Sequence, residues 1–205
     1  MKSKGKAYAN RKPESERPEG DFYPTPSCMV KELIEGGFFN ELLDVDILDP
    51  CCGKYAIGNV LRQYGFKNII ERDLMYGQDF LADYTDNSYD VLIMNPPFKL
   101  FNPFVEKAKR IADRVYCIGK MNFFDAHDRN VNGLWNHLEW VLPFDRQIAF
   151  DKLETSDGKV ECGMIVSCWM IWNKNYDGEP KIKVLDMQKY IKQKSNIKSN
   201  GTCNI

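Results

Sequence analysis

Apolar positions along the chain alternate between two kinds of run. Val45-Asp46-Ile47-Leu48, Asn68-Ile69-Ile70-Glu71-Arg72, Val91-Leu92-Ile93-Met94 and Val115-Tyr116-Cys117-Ile118 have the length and composition of short buried strands. Between them the apolar residues take helical spacing. Met29, Val30, Leu33 and Ile34 form one stripe, with Thr25 as its expected N-cap, Pro26 as its first helical residue and Gly36-Gly37 as its end. Ile57, Val60, Leu61 and Tyr64 mark a second helix; Phe104, Ala108 and Ile111, started by Asn102-Pro103, mark a third. Further on, Arg146 to Phe150 and Gly163 to Trp172 predict a hairpin about an Asp157-Gly158 turn.

The ends of these strands carry the candidate chemistry. Val91 to Met94 runs into Asn95-Pro96-Pro97-Phe98, where two prolines remove two backbone donors and stop the strand. The Asn95 side-chain carbonyl and the Pro96 main-chain carbonyl are acceptors, and Phe98 adds a flat apolar face. A planar amino group on an aromatic ring satisfies all three. Accepting both of its hydrogens localises the nitrogen lone pair, so it attacks an electrophile without a histidine or carboxylate base. The plainer reading is a strand-ending turn. His127 and His137 have neither metal spacing nor a paired nucleophile and receive no catalytic role.

Upstream, Val45 to Leu48 leads into Asp49-Pro50-Cys51-Cys52-Gly53-Lys54-Tyr55-Ala56 and then a helix. A strand, a small-residue turn and a helix N-terminus make a cradle for an adenosine-containing cofactor. No Gly-x-Gly-x-x-Gly occurs, which argues against a nicotinamide dinucleotide. Asp73 follows the next strand and could accept both ribose hydroxyls. Asp79 could take an adenine amino group, with Phe80 packing on the ring. Tyr23 and Phe22 could line the same pocket or simply precede a helix.

Together, Tyr23-Pro24-Thr25-Pro26, Asp49-Pro50-Cys51-Cys52-Gly53, Asp73, Asp79-Phe80 and Asn95-Pro96-Pro97-Phe98 resemble the S-adenosyl-methionine-dependent adenine amino-methyltransferases that act on DNA. The Thr-Pro motif precedes the cofactor loop, and the later segments from Met121-Asn122-Phe123-Phe124 to Trp172 look like phage-type members. The resemblance spans about residues 21 to 175. It implies a Rossmann-like α/β fold: a seven-stranded, mostly parallel sheet with an antiparallel last strand and helices on both faces. It implies S-adenosyl-methionine as cofactor, with Asp73 on the ribose, Asp79 on the adenine, and Thr25, Pro26, Asp49 and Gly53 around the methionine part. It also implies Asn95 and Pro96 as acceptors for the target amino group and Phe98 as the stacking surface for a base flipped out of a duplex. Lys99 and Arg129 are candidates for phosphate contacts at the mouth, or for surface solubility.

Two departures stand out. Tyr55 occupies the place where the family usually has a second glycine, so its side chain either turns away from the cofactor or obstructs it. Only about 74 residues separate Phe98 from Trp172, which leaves no space for a target-recognition domain. Sequence selectivity is therefore expected to be weak, supplied by a protein partner, or confined to the loop around Lys152 to Lys159. The same chemistry would serve RNA adenine or a protein glutamine. A silent module that binds nucleic acid or a partner is the alternative of a different class.

Charge and composition refine this picture. Net charge is -1 over 205 residues, but residues 1 to 19 carry +3 and residues 179 to 205 carry +4, leaving -8 between them. Basic ends could hold a polyanion or merely be solvated. Domain organisation is accordingly expected as a basic tail over 1–20, a catalytic domain over 21–178 and a second basic tail over 179–205. Seven cysteines without Cys-x-x-Cys pairs point to a reducing cytoplasmic setting and to no metal site. No run is long and apolar enough for a membrane span or signal peptide. Trp169 and Trp172 are read first as packing residues and second as stacking surfaces for nucleic acid.

Overall fold

The computed structural model describes residues 24–82, 88–150, 159–163 and 165–191. Tyr23, the first basic segment, the Asp157-Gly158 turn and residues 192–205 lie outside the described residues. The chain alternates strand and helix: α1 (Ser27–Glu35), β1 (Ile47–Asp49), α2 (Ala56–Gln63), β2 (Ile69–Glu71), β3 (Tyr89–Met94), α3 (Phe101–Ile111), β4 (Ala112–Lys120), α4 (His127–Val131), β5 (Leu138–Pro143), β6 (Ser167–Asn173) and β7 (Lys181–Ile182). These strands form a seven-stranded sheet in the order β2-β1-β3-β4-β6-β5-β7. Six strands run parallel. β6 alone is antiparallel, to β4 on one side and β5 on the other.

Successive strand residues face opposite sides, so each central strand feeds two cores. Val91 and Ile93 of β3, Tyr116 and Ile118 of β4, and Trp169 and Ile171 of β6 meet Met29 and Leu33 of α1 and Ile57, Val60 and Leu61 of α2. The alternate residues Leu92, Met94, Val115, Cys117, Met170 and Trp172 meet Phe101, Phe104, Val105 and Ala108 of α3. Both tryptophans are packing residues. Trp169 Nε1 donates to the Met29 carbonyl at 3.0 Å and Trp172 Nε1 to the Leu134 carbonyl at 2.9 Å, so each buried indole satisfies its donor. The expected α/β fold, with helices on both faces of a mixed sheet, is therefore present.

Two local expectations are corrected. The partner of β6 is not Arg146 to Phe150 but β5, with Leu142 opposite Trp169 and Val141 opposite Met170. Among the described residues, Arg146 to Phe150 pairs instead with residues 161–163, bridging Ile148 to Cys162. The reason is packing: Val141 and Leu142 fill opposite cores, whereas Phe144, Ile148 and Phe150 all join one. Thr25 does not cap α1 either; Pro26 precedes the first helical residue, without a side-chain cap. The basic segment that starts at 179 contributes β7 at the sheet edge and buries Leu185 and Met187 in the α1-side core. No helix among the described residues is long and apolar enough to cross a membrane.

Candidate functional site

The carboxyl ends of β1, β2 and β3 lie side by side, because Asp49 pairs with Glu71 and Leu48 with Leu92. This edge gathers most of the residues singled out in the sequence. The turn after β1 is held by the neighbouring strand. The Arg72 amide donates to the Asp49 carbonyl and the Cys52 amide to the Arg72 carbonyl, each at 2.9 Å. Gly53 then takes φ +52°, and its amide donates to Asp73 Oδ2 at 2.8 Å. Asp73 Oδ1 accepts from the Met75 amide at 2.9 Å, so both carboxylate oxygens are oriented by backbone. Pro50 and Cys51 complete this turn, with the Cys51 amide donating to Asp49 Oδ1 at 3.2 Å.

Asp49 is fully buried, and its Oδ2 has no hydrogen-bond partner among the described residues. Burial pushes its carboxyl well above the usual range; the Cys51 amide opposes this, and Glu71 and Asp73 add to it. A buried carboxylate oxygen without a donor fits a cationic ligand. Tyr55, the departure from the family pattern, is exposed at the start of α2. It takes the left-handed conformation, φ 63° and ψ 27°, which is where a glycine would be comfortable, and stacks on Tyr76 with ring centroids 5.6 Å apart. The Tyr76 hydroxyl donates to the Gly53 carbonyl at 3.0 Å. Its hydrogen bond with Tyr55 pushes the Tyr76 phenol up to about 12, so it remains a donor at neutral pH.

Asp79 is exposed, with Oδ1 accepting from the Leu81 amide at 2.9 Å. Phe80 is buried against Phe104, 5.1 Å between centroids, and Lys107 lies over its ring while donating to its carbonyl. Its main packing is thus the α3 core.

The Asn95-Pro96-Pro97-Phe98 turn leaves β3 at the same edge. Asn95 Nδ2 donates to Thr25 Oγ1 at 3.1 Å, across 70 positions of sequence. That bond uses the amide nitrogen as donor, so Oδ1 is the acceptor of the Asn95 amide. Thr25 and Pro26 are buried beside it. Phe98 is half-buried, edge-on to Phe123 at 6.0 Å, and Lys120 Nζ sits 4.2 Å from its ring centroid. Lys99 is exposed beside this turn. Arg129 is committed to the protein: Nε donates to Asn102 Oδ1 at 2.7 Å, Nη1 to the Phe123 carbonyl at 3.0 Å, and the guanidinium covers the Phe123 ring. It braces the helix that follows β4.

No family model and no curated protein sequence matches the chain. Solved structures do. A methyltransferase subunit of a type I restriction-modification system from Streptococcus thermophilus aligns over 85% of this chain and 49% of its own, with TM-score 0.58 and 12% identity. A protein from Listeria monocytogenes, provisionally assigned as a class I S-adenosylmethionine-dependent methyltransferase, aligns over 82% and 66%, with TM-score 0.56 and 15% identity. The fold is that of the class I methyltransferases. The M protein of the type I restriction enzyme EcoKI is similar over 80% of this chain and 48% of its own, with TM-score 0.53 and 12% identity. The chain thus spans about half the length of the two type I subunits.

Within this methyltransferase fold the structure adds partners that spacing could not reveal. Thr25 with Asn95, Tyr55 with Tyr76, and Lys120 with Phe98 are all tertiary contacts. Lys120 had one local signal, a lysine at the end of an apolar strand. No group of histidine, cysteine or acidic side chains suited to a metal occurs among the described residues.

Proposed function

We propose that the protein transfers a methyl group from S-adenosyl-methionine to the exocyclic amino group of adenine in DNA. The observation that supports this reading is the Asn95 amide at the end of β3, whose nitrogen donates to Thr25 and whose oxygen is its acceptor. When bound, the cofactor supplies an electrophilic methyl group. Asp49, with its unpartnered oxygen, suits the ammonium of the cofactor's methionine part. The Asp73 carboxylate, already oriented by the Gly53 and Met75 amides, suits the ribose hydroxyls. Asp79 keeps Oδ2 for the adenine amino group of the cofactor. Asn95 Oδ1 and the Pro96 carbonyl accept the two hydrogens of the target amine and stabilise positive charge as it develops on nitrogen. Phe98 stacks on the target ring, and the released proton passes to solvent. Type I subunits share the fold, which supports a nucleic-acid substrate and selectivity supplied by a partner.

Labelled methyl incorporation into DNA, RNA and a glutamine peptide tests the proposal. DNA should be labelled by the wild type and not by Asn95→Ala. Equal labelling by the two proteins refutes the mechanism, and labelling of RNA or peptide alone refutes the substrate.

A further inference from the structure

Tyr76 has no role in the reading above, yet it joins the two loops that carry the candidate cofactor residues. Its hydroxyl donates to the Gly53 carbonyl at 3.0 Å, while the Gly53 amide donates to Asp73 Oδ2 at 2.8 Å. Its own amide donates to the Asp73 carbonyl at 3.0 Å, and the Gln78 amide closes the turn on that same carbonyl at 3.1 Å. Both polar groups of the Gly53 backbone are therefore tied to the turn that holds Asp73. Gly53 is buried, so without the phenol its carbonyl would lack a strong donor; Cys52 Sγ comes no closer than 3.9 Å.

The stack with Tyr55 bears on the same bond. Tyr55 keeps a left-handed backbone, φ 63°, which is unusual for a bulky side chain, and its ring lies at 8° to that of Tyr76. Tyr55 is 39% and Tyr76 46% exposed, and neither joins either of the two cores. Two rings stacked at the surface bury little; what the stack does is limit where the Tyr76 hydroxyl can go. We propose that Tyr76 is a positioning residue for S-adenosyl-methionine, braced by Tyr55, whose hydroxyl latches Gly53 to the Asp73 turn before the cofactor arrives. This rests on the assignment of Gly53 and Asp73 to the cofactor made above. A loop that samples other conformations binds with an affinity reduced by the fraction in the binding-ready form, and the latch raises that fraction. Tyr76 thus acts through Gly53 and Asp73, and neither tyrosine needs to touch the reacting atoms.

The test is calorimetric titration with S-adenosyl-methionine of wild type, Tyr76→Phe, Tyr55→Phe and Tyr55→Gly. Tyr76→Phe keeps the stack and removes one hydrogen bond, so its Kd should rise about 2- to 12-fold. Tyr55→Phe keeps the ring and should stay within about twofold of wild type, whereas Tyr55→Gly removes it and should weaken binding by a factor like that of Tyr76→Phe. In methyl transfer, Tyr76→Phe should raise the KM for S-adenosyl-methionine and keep the wild-type kcat, a split that a general loss of structure does not produce. Should Tyr76→Phe fail to fold, Tyr55→Gly against Tyr55→Phe decides the same question. Equal affinity of wild type and Tyr76→Phe overturns this inference alone. Tighter binding by Tyr55→Gly overturns it too, because the ring would then stand in the way of the cofactor. No binding by wild type overturns it together with the reading beneath it.

Discussion

Asp49→Asn changes one proton-bearing group at the centre of the site and leaves its shape. In the wild type a fully buried carboxylate has one oxygen oriented by the Cys51 amide and one without a partner. Its carboxyl is raised because burial, above all, disfavours the ionised form. A group raised on folding binds its proton more tightly in the native state. Its cost to stability is therefore absent below the ordinary carboxylate range near 4 and grows as pH rises from there to the folded value, by about 1.4 kcal/mol per pH unit. The amide escapes this cost but keeps an unpaired polar atom, worth about 1–3 kcal/mol. The advantage of the amide therefore grows with pH until the folded carboxyl titrates, and each 1 kcal/mol of it corresponds to about 2–4 °C in a domain of this size. Melts of both proteins from pH 4 to pH 8 should diverge upward with pH. The same variant should lose most of the stabilisation by S-adenosyl-methionine, about 2.7 kcal/mol for wild type at 100 times its dissociation constant. A pH-independent offset refutes the argument.

Thr25→Val removes the acceptor for Asn95 Nδ2; it should cost about 0.5–1.5 kcal/mol in the melt and lower kcat by about 10- to 100-fold, with little change in cofactor binding by titration. Asn95→Ala should retain the cofactor-induced rise in melting temperature while losing labelled methyl incorporation into DNA. Gly119→Ala would put a Cβ 2.9 Å from the Phe101 ring and 3.0 Å from Met170, so denaturant unfolding should show a loss of about 1–3 kcal/mol. Lys189 bonds Glu35 and holds its carboxyl below the usual range, with the Tyr64 hydroxyl next. That contribution exists above the ordinary value and vanishes as pH falls through the folded one; Lys189 also pairs with the largely buried Glu32 at 2.8 Å, so Lys189→Met should lower the melt at pH 7, and by less as the pH falls into the acid range.

Legibility followed the range of the interactions. Each strand that leads into a candidate loop was visible because apolar run, proline and glycine are neighbours in sequence, as in Val91 to Phe98. The pairing of β6 was not. Arg146 to Phe150 resembles a strand locally, and only the two cores select Leu138–Pro143 instead. The site divides in the same way. Asp49, Asp73 and Asn95 were legible as residues at strand ends, whereas the hydroxyl that orients Asn95 lies 70 positions away. Thr25 had the features of a helix cap, and no local signal distinguishes a cap from a side chain bonded across the sheet. Tyr55 was conspicuous as a departure, but its orientation depended on Tyr76, a ring whose position is set by the Asp73 turn.

The place of β6 in the sheet also fixes an order of events for a chain made from its amino end. β4 and β5 never touch as neighbours in the sheet; each pairs with β6, which lies between them. During synthesis both strands therefore emerge before the one strand that can join them, and the edge of β4 that exposes Val115, Tyr116, Cys117 and Ile118 stays open meanwhile. The sheet closes at its middle only when β6 arrives, with β7 still to follow. A nascent chain arrested before residue 167 would leave β4 with one unpaired edge and β5 with two, the condition under which strands pair with other chains, so strands open to aggregation during synthesis lie in the interior of the finished sheet.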